Sequence, residues 1–192
     1  MSNKDMLFGC KLAIVRSIDP TTGLPPGTGG DVAWFETPQQ IGMTPQWIEG
    51  QSVDLRGGDR LIGTVKEEAS LQGVNLSFNE ALPDGSALQL LCGGAWDDST
   101  KTYSAPMSKD KHDPVQLEVY TARYAQGVNH SNEADIVGYR KFTFYKASGR
   151  VPSFTAQDQN FSTPQMTVGC VENIKANKPS FEWTDVDDLP TP

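Results

Sequence analysis

The side chains able to do chemistry are few and scattered. Cys10, Cys92 and Cys170 are widely separated and form no CxxC pair. An odd number of thiols without that spacing suits neither a zinc site nor a disulfide scaffold, so buried free thiols are expected. His112 and His130 each lie in a polar, turn-rich stretch with no second histidine or cysteine nearby, and read as exposed loop residues. The glycine-rich stretch Gly23–Gly30 invites comparison with a phosphate-binding loop. That loop requires a lysine after the last glycine and a helix directly behind it, whereas Gly30 is followed by Asp31-Val32-Ala33-Trp34. No GxSxG elbow is present, and neither histidine has a nucleophile close in sequence. Glu67-Glu68, Asp97-Asp98 and Asp187-Asp188 are adjacent carboxylates. Neighbours on a strand face opposite ways, so such pairs serve a shared acid–base site poorly and read as solvated surface. No spacing matches a calcium loop. Asn75–Ser77, Asn129–Ser131 and Asn160–Ser162 fit the glycosylation triplet but carry weight only in a secreted chain. The expectation is a non-enzyme with no catalytic residues, no metal and no cofactor.

The elements that would position these residues are strands. Across 192 residues, 18 glycines and 13 prolines are spread as turn punctuation, and 37% of the side chains are hydrophobic. Lys11–Arg16 reads as a first strand. Residues 17–50 lack a strong period and read as a long loop carrying Trp34, Phe35, Ile41 and Trp47, large apolar groups that need a surface to cover them. Gly57-Gly58-Asp59 marks a turn between Ser52–Leu55 and Arg60–Val65. In Gly73–Asn79, Val74, Leu76 and Phe78 alternate with Asn75, Ser77 and Asn79, the period of a half-buried strand. One helix is expected over 83–92, with Pro83 in its first turn, Ala87, Leu88, Leu90 and Leu91 on one face and Gly93-Gly94 as its stop. Residues 97–114 read as a second polar loop. Val115–Arg123 and Tyr139–Tyr145 alternate across a hairpin loop at 125–135, and Met166–Glu172 and Ser180–Thr184 are the last strands. About eight short strands and one small helix in one domain predict a β-sandwich or barrel.

Charge bounds the partners. Sixteen basic against 24 acidic side chains give a net of −8. A basic face for phosphates or anionic lipid is not expected, so neither specific nucleic-acid binding nor membrane binding is. The opening residues hold no long apolar run, so a secretory signal is not expected and the reading places the chain in a cytoplasm.

Four stretches, in order, resemble the tail tube proteins (major tail proteins) of long, non-contractile-tailed bacteriophages. They are Gln46–Leu55 with Gly57-Gly58-Asp59; Leu71–Leu82 running into the short helix that ends at Gly93-Gly94; Gly138–Arg150; and Phe161–Val168 with an ending at Leu189-Pro190. Together they span most of 46–190, and residues 1–45 depart most from the pattern, reading as an N-terminal arm and long loop. The resemblance implies a two-sheet antiparallel sandwich with a flanking helix, six copies in a ring, and rings stacked into a hollow tail tube through which genomic DNA leaves the capsid. Tape-measure, tail-tip initiator and tail terminator proteins are the implied partners, the virion tail the implied location, and no catalytic residue is implied. Such contacts need apolar anchors, and Trp34, Phe35, Ile41 and Trp47 are the candidates, the alternative being that they cover the edge of their own sheet. Six copies would carry a formal charge of −48, which would keep phosphate off a channel wall. Two other readings remain open: the inner tube of a contractile tail or secretion system, and a carbohydrate-binding sandwich displaying Trp34, Trp47, Trp96 or Trp183 as stacking platforms.

Overall fold

The computed structural model describes residues 5–125, 133–154, 158–159 and 162–191. His130, most of the expected 125–135 loop, and two of the glycosylation triplets fall wholly or partly outside them. Twelve strands and one helix follow in order: β1 Met6–Ser17, β2 Val32–Phe35, β3 Pro38–Ile48, β4 Ser52–Gly57, β5 Arg60–Lys66, β6 Ser70–Glu80, α1 Gly85–Cys92, β7 Ala95–Asp97, β8 Thr102–Ser104, β9 Val115–Tyr124, β10 Ile136–Gly149, β11 Gln165–Val171 and β12 Glu182–Val186. The fold is mainly β, as its composition predicts.

One hydrogen-bonded antiparallel sheet, in the order β2-β1-β9-β10-β11-β6-β3, folds over on itself to make both layers of the sandwich. The 14-residue β10 makes the turn from layer to layer. One of its edges pairs with β9; along the other, Tyr139–Thr143 pairs with β12 and Ala147–Gly149 with β11. Between the layers, Val74, Leu76 and Phe78 of β6 meet Ala13, Val15, Phe35, Leu117, Val119, Phe144, Met166 and Val168. Phe35 and Phe78 stand edge to face with ring centroids 4.9 Å apart, so β2 at one end of the sheet touches β6, next to the other end, across the core.

The helix closes one side of this core with Ala87, Leu88, Leu91 and Cys92. It begins two residues later than the sequence suggests. Asp84, in extended backbone, accepts a hydrogen bond from the Ser86 N–H and is the cap, which leaves Pro83 outside the helix. Gly85 weakens the helix by propensity, but a Cβ there would lie 2.1 Å from the Trp96 ring, so the glycine is what lets that indole pack.

Both faces of β9 and of the second half of β1 are covered. Leu12, Ile14 and Tyr120 point away from the main core and are buried beneath Trp34, Tyr139, Val186 and Leu189. Glu118 shares that face, accepting hydrogen bonds from Gln116 Nε2 at 2.9 Å and Tyr120 Oη at 3.0 Å. The segment after β12 therefore straps across the outside of the sheet. Arg123 and Arg140 fix it, both pairing with Asp185, while Arg123 also holds Asp5 at the other chain end.

Three sequence expectations change. The supposed loop over 17–50 contains β2 and β3, and its irregular residues are 18–31, 36–37 and 49–50. Two prolines and a glycine hide β3, and an edge strand tolerates them because one row of its backbone groups needs no ladder partner. The division at residue 45 between arm and core fails as well. β1 lies between β2 and β9 with Ala13, Ile14 and Val15 fully buried. Finally, the polar stretch 97–114 takes part in a small hairpin, β7 with β8.

Candidate functional site

The groups with potential chemistry are placed for structure. Burial pushes the Cys10, Cys92 and Cys170 thiols up to about 12, so no ready thiolate exists at neutral pH. His112 is not the free loop residue expected: its Nε2 lies 2.8 Å from the Leu91 carbonyl at the helix end. Asp97 accepts from Ser99 and Thr100 in the β7–β8 turn, and those bonds hold its carboxyl below the usual range. Asp98 pairs with Lys101 on the surface. Among the described residues, no group of three His, Cys, Asp or Glu side chains could hold a metal ion, and no helix is long and apolar enough to cross a membrane.

The four proposed anchors separate. Phe35 is 1% exposed and belongs to the core, which withdraws it as an intersubunit contact. Ile41 packs on that core from its margin, and Trp34 covers the outer cluster. Trp47 alone stands out, 58% exposed. The sheet-covering alternative accounts for the other three. As sugar platforms, Trp34 and Trp96 are poorly free, the latter lying against Gly85; Arg140 sits 4.1 Å above the Trp183 ring, and Trp47 is open.

Among the described residues, the hairpin β4–β5 is a surface feature without a structural account. It pairs with no other strand and is rooted at Gly50, where a Cβ would lie 1.9 Å from the Glu67 carbonyl oxygen. The Glu67 N–H bonds the Gln51 carbonyl at 2.9 Å and closes that root. The register sets Val53 opposite Val65 and Leu55 opposite Gly63 on one face, and Ser52 opposite Lys66 and Asp54 opposite Thr64 on the other. The second face is satisfied, since Thr64 Oγ1 donates to Asp54 at 2.8 Å and Arg56 lies 3.8 Å from the same carboxylate. The first face is apolar and open, with Val65 at 72% and Leu55 at 63% exposure. Opposite a glycine, Leu55 has no cross-strand side chain to cover it. Near the tip, Leu61 and Ile62 are exposed too, as are Trp47 and Ile48 shortly before the root. A two-stranded hairpin is at best marginal in water, and this one gains little from its own body.

Its strands are legible in the sequence; their detachment is not. Period 2 at Val53, Leu55 and Val65 signals a strand with one face to bury, and cannot say whose surface buries it. No protein-family model matches the chain, and no curated protein is significantly similar to it.

Proposed function

We propose that this chain is a structural subunit that works by self-association, the tail tube subunit of a long-tailed bacteriophage: copies close into six-membered rings, and rings stack into a tube that conducts DNA. The hairpin β4–β5 is the observation that carries this reading. It presents one saturated polar face and one open apolar face clear of the body, the form of a contact arm awaiting a partner. Charge favours a second copy as that partner. Residues 52–66 hold Arg56, Arg60 and Lys66 against Asp54 and Asp59, a net of +1, which leaves −9 on the remainder of the chain. The same acidity suits a conduit, because a negative wall repels the phosphate backbone within a Debye length. The ordered resemblance of four stretches to tail tube proteins adds the particular assembly. Tape-measure, initiator and terminator proteins then set where the tube starts and ends.

Electron microscopy of the concentrated, purified chain, alone and with a tail-tip initiator, tests the reading. Rings or hollow tubes are expected. A chain that stays monomeric under both conditions overturns it.

A further inference from the structure

The sheet that folds over to form the sandwich does not close. β2 pairs with β1 only over Ala13–Arg16, so among the described residues no strand continues the ladder on that edge of Cys10–Leu12, which runs beside β3. Two register shifts around Cys10, with Gly9 at a φ of +71°, bend β1 at this point. A cavity of about 390 Å³ opens through the seam. Leu76, Val119 and Phe144 form its floor, and Cys10, Ile41 and Phe142 its sides. Gln40 and Thr121 stand among its remaining lining residues, and no lining residue is charged. The other large cleft, beside α1, is lined by Asp31, Asp110, Lys111 and Asp113 and has the opposite character.

The chain thus carries an exposed apolar knob and an uncharged, mostly apolar hole. They lie at different ends of β3: the hole beside Gln40 and Ile41, the hairpin root just past Ile48. Eight residues of strand separate Gln40 from Ile48, about 27 Å at roughly 3.4 Å per residue. The hole falls within the range, about 300–1,000 Å³, of cavities that take up a compact apolar group. A knob and a hole on different surfaces of one chain make a heterologous contact, the kind that repeats from copy to copy. We infer that the open face of the β4–β5 hairpin, led by Leu55, docks in the β1–β3 seam of a second copy. The inference rests on the self-association reading and names the receiving site for the arm. A net +1 arm entering a −9 body gains by charge what it also gains by apolar burial.

Gln40, which lines the hole and is exposed, supplies the test, because the Cys10 thiol is held too far up to oxidise readily. The Leu55→Cys, Gln40→Cys, Cys10→Ser chain is assembled, treated with copper-phenanthroline and run on a non-reducing gel. A ladder of disulfide-linked dimers and higher species is expected, and it disappears when Gln40 is restored. Tubes without a ladder, a ladder that survives restoration of Gln40, or a bridge closed within one chain overturns the docking site and leaves the self-association reading standing. A chain that never associates removes both. Thr121→Phe, which fills the hole, provides a second measure. Its circular dichroism should match that of the unaltered chain while its critical concentration for assembly rises at least about tenfold, the worth of one buried aliphatic side chain. An unchanged critical concentration counts against the docking site.

Discussion

Glu80 ends β6 at the corner where β2 passes into β3. Its Oε1 accepts from the Thr37 N–H at 3.0 Å and from the Thr37 hydroxyl, while its Oε2 is buried without a partner. Desolvation is the largest influence on this carboxyl and pushes it above its usual 4.5, against the hydrogen bonds from Thr37 that favour the anion. The folded chain therefore holds this proton to higher pH than the unfolded chain does. Between 4.5 and the raised value the native state binds more protons, so the Glu80 contribution to stability falls as pH rises. In Glu80→Gln this slope should vanish: plotted against pH from 4.5 to 8, the unfolding free energy of the unaltered chain minus that of the variant should decline. A flat difference would mean that the carboxyl is ionised throughout. Glu80→Ala should cost about 1–3 kcal/mol in urea unfolding at pH 4.5, because it removes the acceptor of both Thr37 hydrogen bonds, each worth about 0.5–1.5 kcal/mol.

At the scale of elements, the hairpin β4–β5 contributes no residue to the sandwich core. Replacing residues 52–66 with a short Gly-Ser turn removes no residue of either core cluster. The shortened chain should keep its thermal midpoint within a few degrees, because a change below about 1 kcal/mol shifts it no further, and should fail to form tubes. A large drop in the midpoint would show that the hairpin serves its own fold instead of a partner. Legibility in the sequence follows the same division. Strands that bury one face, such as β6 with Val74, Leu76 and Phe78, announce themselves by period. β3 does not, because Pro38, Gly42 and Pro45 are affordable only at an edge, and being an edge is a property of the assembled sheet. Phe35 reads in sequence as a loop anchor because β2 is four residues long, too short for a pattern; its burial comes from Phe78, 43 positions away. Gly85 illustrates the converse, a residue that argues against a helix until the indole it accommodates is in place. The hairpin is legible as two strands, while its isolation and the seam it would fill depend on which edges the fold leaves open.

For the whole molecule, the proposed self-association sets charge against apolar contact. Each chain carries −8, so approaching copies repel at long range, and the +1 arm offsets this only locally. If apolar burial of the hairpin face drives assembly, salt should help. Screening shortens the repulsion from about 30 Å at 0.01 M to about 8 Å at 0.15 M and leaves the hydrophobic term intact. The critical concentration for tube formation, measured by light scattering, should therefore fall as sodium chloride rises from 0.01 to 0.5 M. It should also fall as pH drops from 8 towards the isoelectric point near 4.7, where the net charge disappears. Tubes that dissolve with added salt would place arm-to-body ion pairs ahead of apolar burial, and would make Arg56, Arg60 and Lys66 the residues that hold the assembly instead of Val53, Leu55 and Val65.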